Sequence, residues 1–462
     1  MARHTALTAI FAAAAILGCQ QPEPVTCAEP ASTEVKADAG AGIRRVVIEA
    51  PSIGDAGLDE GVETRYEPRF RDPLLEKIRE REDDRKARLA EETAEIRARQ
   101  EKEKAARKAE EVTFRSSLPA DRRPTSLDQF EIIDHMPPVP QHYTGTCWSF
   151  AGTSLLEAEA IRKTGKRIKL SEIHTVYYEY LAKARRFLAQ RGESEFGEGS
   201  ETNAVTRTWK EHGAVPAAAY DGVVNEDGLH DHIRMFRELK GILEQARREK
   251  LWDEATVLGM MRVVLDRVLG PPPDRFEYEG ATYTPESFLA DALEVNPDDY
   301  VSFMSTLKTP FWEKQVFDVP DNWWRSKEYH NVPLDDFYAA VKGALEKGYS
   351  VAIGGDVSEP GKDGVNDVLF VPPYDIPGRY IDQLSREYRI VSGATGDDHG
   401  VHVVGYSRYA GHDWFLIKDS GRSARRGANE GYYFMRGDYV RLKMLTISVH
   451  RDAVADLLAK FD

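Results

Sequence analysis

The spacing of apolar and polar positions divides the chain into stretches of distinct character. Residues 6–17 form an apolar run behind Arg3 and His4, the length of an export-signal core and too short to span a bilayer. From residue 20 to about 69, Pro, Ala, Gly and acidic residues follow without sustained periodicity, which predicts a disordered tether. Residues 70–112 then interleave acidic and basic side chains, with Glu-to-Lys/Arg neighbours expected at i,i+4. Leu75, Leu89 and Ile96 share one heptad position, but Glu82 and Glu103 occupy it as well. The pattern predicts a solvated helical spacer, with a weak coiled coil as the alternative.

A folded region is expected over 125–462. Trp148, Ala151, Leu155 and Ala158 recur at helical spacing, and the run stops at Lys163-Thr164-Gly165, a basic last turn followed by glycine. Glu198-Gly199-Ser200-Glu201 opens a second helical run that ends at His212-Gly213. Residues 223–345 read as a mostly helical insertion, including 231–248 and 253–268. Strands are predicted at 349–356, 399–406 and 414–418, with a turn over 407–413 containing Gly411.

Composition narrows the function classes. The length of 462 residues accommodates a large core, and 41% of positions are hydrophobic. A formal charge of -15 argues against a nucleic-acid-binding surface. Three cysteines cannot build a disulfide framework, and Cys27, inside the tether, is assigned no chemistry.

Two separated segments carry candidate chemistry. Cys147 begins its helix, where unsatisfied backbone N–H groups favour an anion and hence a nucleophilic thiolate. A buried, inert cysteine is the plain alternative. In the second segment, if position 404 faces 414 across the hairpin, His399 faces Asp419, and the carboxylate would fix the imidazole. His402 competes as the functional histidine, but it lies on the strand face of Val404 and Tyr406, opposite to His399. A His399/His402 metal pair has no third ligand cluster, so neither metal nor organic cofactor is expected.

Family resemblance extends this reading. Ile16-Leu17-Gly18-Cys19 resembles a bacterial lipobox, which implies a signal peptide over 1–19, lipidation at Cys19 and a lipid-anchored place in a bacterial cell envelope, at the outer membrane or periplasmic face. Gln141-His142-Tyr143-Thr144-Gly145-Thr146-Cys147-Trp148 resembles the nucleophile motif of papain-like cysteine peptidases, closest to the bleomycin hydrolase/aminopeptidase C branch. Asp398-His399-Gly400-Val401, followed by Ile417-Lys418-Asp419-Ser420-Gly421, is similar to that family's His and Asn blocks. The resemblance covers residues 125–462 and implies an α+β, two-subdomain papain-like fold, helical and β-rich halves with a cleft between. Cys147 would be the nucleophile, His399 the acid/base, Asp419 the orienter, and Gln141 with the Cys147 N–H the oxyanion hole. Gly199, Ser200 and Trp148 are the implied substrate-binding positions, and the implied partner is a peptide or protein substrate.

Two departures stand out. Asp419 replaces the family's Asn, and the Trp that shields the Asn–His bond is replaced by Gly421-Arg422. Exposure is therefore expected to weaken the Asp419–His399 coupling. The family's cleft-entering C-terminal tail has no counterpart after Phe461-Asp462, so exopeptidase action is not carried over. A catalytically weak peptide-binding module and a Cys-His-Asp acyltransferase remain as alternatives, and homo-oligomerisation is open.

Overall fold

A computed structural model of the chain describes residues 66–461. The expected signal peptide, Cys19, Cys27 and the tether up to residue 65 lie outside the described residues. The chain divides into two units, residues 1–111 and 112–462. In the first, α1 (Pro73–Ala109) starts at Asp72, whose side chain accepts from the Leu74 N–H at 2.8 Å. None of its residues is buried. Its charges pair at i,i+3 rather than the expected i,i+4: Arg85 on Glu82, Arg79 on Glu76, Lys104 on Glu101. Both spacings put side chains on one helix face, so the solvated character is the same.

The second unit holds three hydrophobic cores, two large and one small. The helical one is built by α2 (Cys147–Thr164), α3 (Glu172–Ala189), α4 (Asn203–His212), α5 (Ile233–Glu249) and α6 (Glu254–Leu269). Local chemistry sets their ends. Gly165 closes α2 at φ +70°, a left-handed conformation that favours glycine, and the Ser171 and Asp253 side chains cap α3 and α6. No helix among the described residues is long and apolar enough to cross a membrane.

The second core lies against an eleven-stranded, mostly antiparallel sheet. Its centre is β7 (Val351–Gly355) between β10 (His399–Tyr409) and β13 (Met444–His450), with β11 (His412–Lys418) and β12 (Tyr432–Arg436) beyond β10. The short β1 (Glu131–Ile132) pairs with β10 from the side. Within the predicted insertion, α5 and α6 form as expected, but the segment after them departs from the helical reading. Residues 276–278 and 281–283 form a small hairpin, β2 and β3. Then β4 (Tyr300–Met304) pairs with β13, while β5 (Glu313–Gln315) and β6 (Tyr329–Asn331) extend the sheet edge. The run Tyr300-Val301-Ser302-Phe303-Met304 has the aromatic and β-branched content that suits a half-buried pleat.

The hairpin register also differs from the one assumed. Val403 faces Ile417, the pairing shifts at a bulge around Val404, and Tyr409 faces His412. Only Ala410 and Gly411 form the turn, both at positive φ (49° and 79°), the two-residue geometry that matches strand twist. Asp419 thus falls just beyond the end of β11, not directly across from His399.

Candidate active site

Cys147 is the first residue of α2 and a free, partly exposed thiol. As the opening residue, it has no carbonyl one turn earlier to take its backbone N–H. Strand β10 meets this helix start edge on. A Cβ at Gly400 would lie 3.3 Å from Trp148 Cα, so glycine next to His399 permits the close approach. His399 is thereby brought close enough to the Cys147 side chain for the two to interact.

Despite the displaced register, His399 and Asp419 meet. The imidazole Nε2 and Asp419 Oδ1 are 2.7 Å apart, and the same Oδ1 accepts the Gly421 N–H at 2.7 Å. That leaves the other ring nitrogen for Cys147. Asp419 is only 2% exposed, which overturns the expectation that losing the shielding Trp would open the pair to water. Gly421 takes over part of the cover: a Cβ there would sit 3.1 Å from Asp419 Oδ1 and 3.4 Å from His399 Nε2. Burial alone would lower the His399 pKa, but Asp419 and then Cys147 outweigh it and raise it to about 10. Asp419 is held well below the usual carboxylate range. Its burial works against this, but the His399 charge and hydrogen bond win.

Gln141 is packed by its own hydrogen bonds. Its Nε2 donates to the Thr144 carbonyl at 2.7 Å, and its Oε1 accepts from Ser420 Oγ at 2.7 Å. One Nε2 hydrogen remains for a ligand, since an amide carries two donors. Gln141, His399, Gly421 and Lys362 line one cleft of about 1400 Å³. The opposite wall comes from the insertion: Leu229, His230, Asp231 and Ile233. The Tyr143 N–H donates to the His230 carbonyl at 3.0 Å, and the His232 N–H to the Tyr143 carbonyl at 3.1 Å, tying that wall to the loop before Cys147.

The remaining implied positions lie elsewhere. Trp148 is 2% exposed and its indole donates to the Glu198 carbonyl, a core placement. Ser200 is buried and donates to Glu179 at 2.6 Å. Gly199 is covered by Asp321, and its carbonyl accepts from Lys183. It is Glu198 that faces the cleft, its Oε2 accepting the Gly145 N–H at 2.7 Å. His402 is fully buried and pairs with Ser154 Oγ at 2.8 Å, with its pKa pushed far down by burial. Among the described residues, no group of three His, Cys, Asp or Glu is arranged to hold a metal ion.

Sequence reasoning missed Glu198, His230 and Lys362. Glu198 and His230 sit in loops and Lys362 on a two-residue strand, where periodicity carries no signal. The sheet also predicts a sensitive position. Gly355 faces His399 across β7–β10, and a Cβ there would fall 2.5 Å from the Lys443 carbonyl and 2.7 Å from Met444 Cα. Gly355→Ala is expected to cost about 1–3 kcal/mol in denaturant unfolding and to lower any Cys147-dependent activity, because backbone must move beside His399.

No family model matches the chain, and no curated protein matches it. Solved structures do. PepW from Lactobacillus rhamnosis aligns at a TM-score of 0.55 with 17% identity, covering 72% of this chain and 84% of that one. A structure from work on antibody cross-reactivity between the mite allergens Blo t 1 and Der p 1 aligns at 14% identity and a TM-score of 0.34, too low to weigh. At these identities the likeness speaks to architecture. The chain has the papain-like α+β fold, with a helical half led by Cys147 and a sheet half carrying His399 and Asp419.

Proposed function

We propose that the protein is a papain-like cysteine peptidase. The observation that carries this reading is the buried Asp419–His399 pair at 2.7 Å, with Cys147 at a helix start close enough to the same imidazole to interact with it. In the proposed cycle the Cys147 sulfur attacks a peptide carbonyl. The oxyanion is met by the Cys147 N–H and the free Nε2 hydrogen of Gln141. His399, already cationic, protonates the leaving amine, and the chain is released from a thioester. Neutral His399 then takes a proton from water as it attacks the thioester; the C–S bond breaks, the acid leaves, and the sulfur is again beside a cationic His399. Asp419 keeps the ring oriented throughout.

The cleft fits an extended peptide as the substrate class. It is lined by both halves and carries exposed apolar side chains at Tyr143, Leu229 and Ile233 beside the carboxylates of Glu198 and Asp231. Attachment to a membrane through Cys19 in a bacterial envelope belongs to the same proposal and rests on the lipobox-like residues 16–19. Acyl transfer to an amine instead of water is the second reading, since the same thioester would serve both.

A thiol-directed epoxide with a peptidyl arm tests the site. One equivalent should label Cys147 and stop hydrolysis of fluorogenic peptides. Labelling of folded protein at another residue, or none, contradicts the proposal. Addition of a primary amine separates the two readings: a hydrolase releases mainly free acid, an acyltransferase mainly the amide.

A further inference from the structure

An aspartate in place of asparagine adds a negative charge to a buried site, and the structure supplies a cation to face it. Lys362 lies on β8 (Lys362–Asp363), which pairs with β9 (Val368–Leu369). Its Nζ stands 4.0 Å from Asp419 Oδ2 and 5.0 Å from the centre of the Tyr433 ring. The side chain is 10% exposed and lines the same cleft as His399. Asp419 Oδ1 already takes two donors, from His399 and Gly421, so Lys362 faces the oxygen that remains.

The position of Lys362 is built rather than incidental. Its backbone N–H donates to the Glu359 carbonyl at 3.0 Å, and Arg115 donates to that same carbonyl at 2.8 Å. Gly361 packs against the Phe370 carbonyl so closely that a Cβ would overlap it. The β8–β9 turn is therefore pressed against the site, delivering the lysine from a segment far from the cysteine and histidine motifs.

We infer that Lys362 is a positioning residue that pairs with Asp419, so that together they replace the neutral amide and aromatic shield of the related motif. The inference rests on the peptidase reading for its rate predictions, but not for its charge coupling. With Lys362 facing it, Asp419 adds no net charge to the site that a neutral amide serves in the related motif. Without Lys362 it would carry one uncompensated negative charge, in surroundings where such a charge is costly. Lys362 also feels Asp398 and Cys147 favourably and Arg115 unfavourably, and burial lowers its pKa. His399 is faced by Asp419 and Cys147, with Asp397 also within electrostatic reach.

A double-substitution cycle tests this on the full chain. Lys362→Met alone is expected to lower kcat/KM about tenfold and to move the His399 midpoint up by about one pH unit, because the carboxylate then acts on the imidazole uncompensated. Asp419→Asn alone should lower kcat/KM by a similar factor and move the midpoint down, leaving a buried cation without its anion. The double variant removes both charges and should return to within about threefold of wild type. Multiplying losses, or a His399 midpoint indifferent to Lys362→Met, overturns the inference.

Nuclear magnetic resonance titration of His399 in the four proteins reads the coupling with no substrate present. A peptidase reading that fails for lack of turnover would therefore leave this comparison intact. Should Lys362→Met not fold, Lys362→Arg keeps the charge. It is expected to hold the midpoint within about half a unit of wild type, and a larger shift counts against the pairing.

Discussion

Cys147→Ala should abolish peptide hydrolysis, with kcat falling by at least about 10^4-fold while peptide binding persists. Removing the nucleophile of a unit that acts together costs nearly as much as removing the whole unit, so no neighbouring group can compensate. Cys147 is the one free cysteine among the described residues. The change is small, and the residue is partly exposed at a helix start, so the fold should survive. Progress curves with a fluorogenic peptide, alongside fluorescence binding of the same peptide, check both halves. Residual hydrolysis within tenfold of wild type would mean that another group performs the chemistry.

Asp419→Ala is expected to lower kcat by about 10^3-fold, since it removes the acceptor that fixes the His399 ring and leaves Gly421 N–H without its partner. The pH dependence carries a definite sign. In the wild type the imidazolium persists to about pH 10, so loss of activity on the basic side should lie far above the ordinary histidine range. Without the carboxylate that limb should fall toward lower pH. Stability follows the same linkage. The folded pKa of His399 lies above its ordinary 6.5, so its contribution is complete below 6.5 and is lost as pH rises toward 10. Asp419 is depressed below 3.8, so its contribution holds above that value and is lost on acidification. The stability gap between wild type and Asp419→Ala should be widest between about pH 4 and 6.5. A gap that does not change with pH would separate Asp419 from the histidine.

Much of the architecture was legible because its signals are local. The start of α2 and the glycine stops at 165 and 213 each leave a mark in a few residues. The pairing of His399 with Asp419 was also within reach, although for a partly mistaken reason. The assumed register placed them opposite each other. In the structure a bulge near Val404 and a two-residue turn at 410–411 carry Asp419 past the strand end, and its side chain turns back to the ring. A bulge depends on the neighbours β1 and β7, which a single hairpin pattern does not reveal.

What was illegible is tertiary. Lys362 reads as an ordinary lysine between Gly361 and Asp363, and only the folding of β8 against β9 brings it to Asp419. The missing Trp suggested exposure, yet Gly421 and Lys362 stand against the carboxylate from other directions. Gly199, Ser200 and Trp148 show the reverse error of scale. The stretch 198–201 reaches the cleft, but the residue that faces it is Glu198, while Ser200 and, from the cysteine motif, Trp148 turn into the helical core. Strand β4 was hidden because a helical insertion was expected around it.

The central claim, that one imidazole joins the sulfur to the carboxylate, is tested most directly by titrating His399 itself. Histidine-labelled protein, with the ring resonances of His399 assigned by comparison with His399→Ala, can be followed by nuclear magnetic resonance from pH 5 to 11. The account predicts a ring still cationic at pH 8, and a midpoint that falls when Cys147 is replaced by alanine. A midpoint near 6.5 that ignores the loss of the sulfur would contradict it.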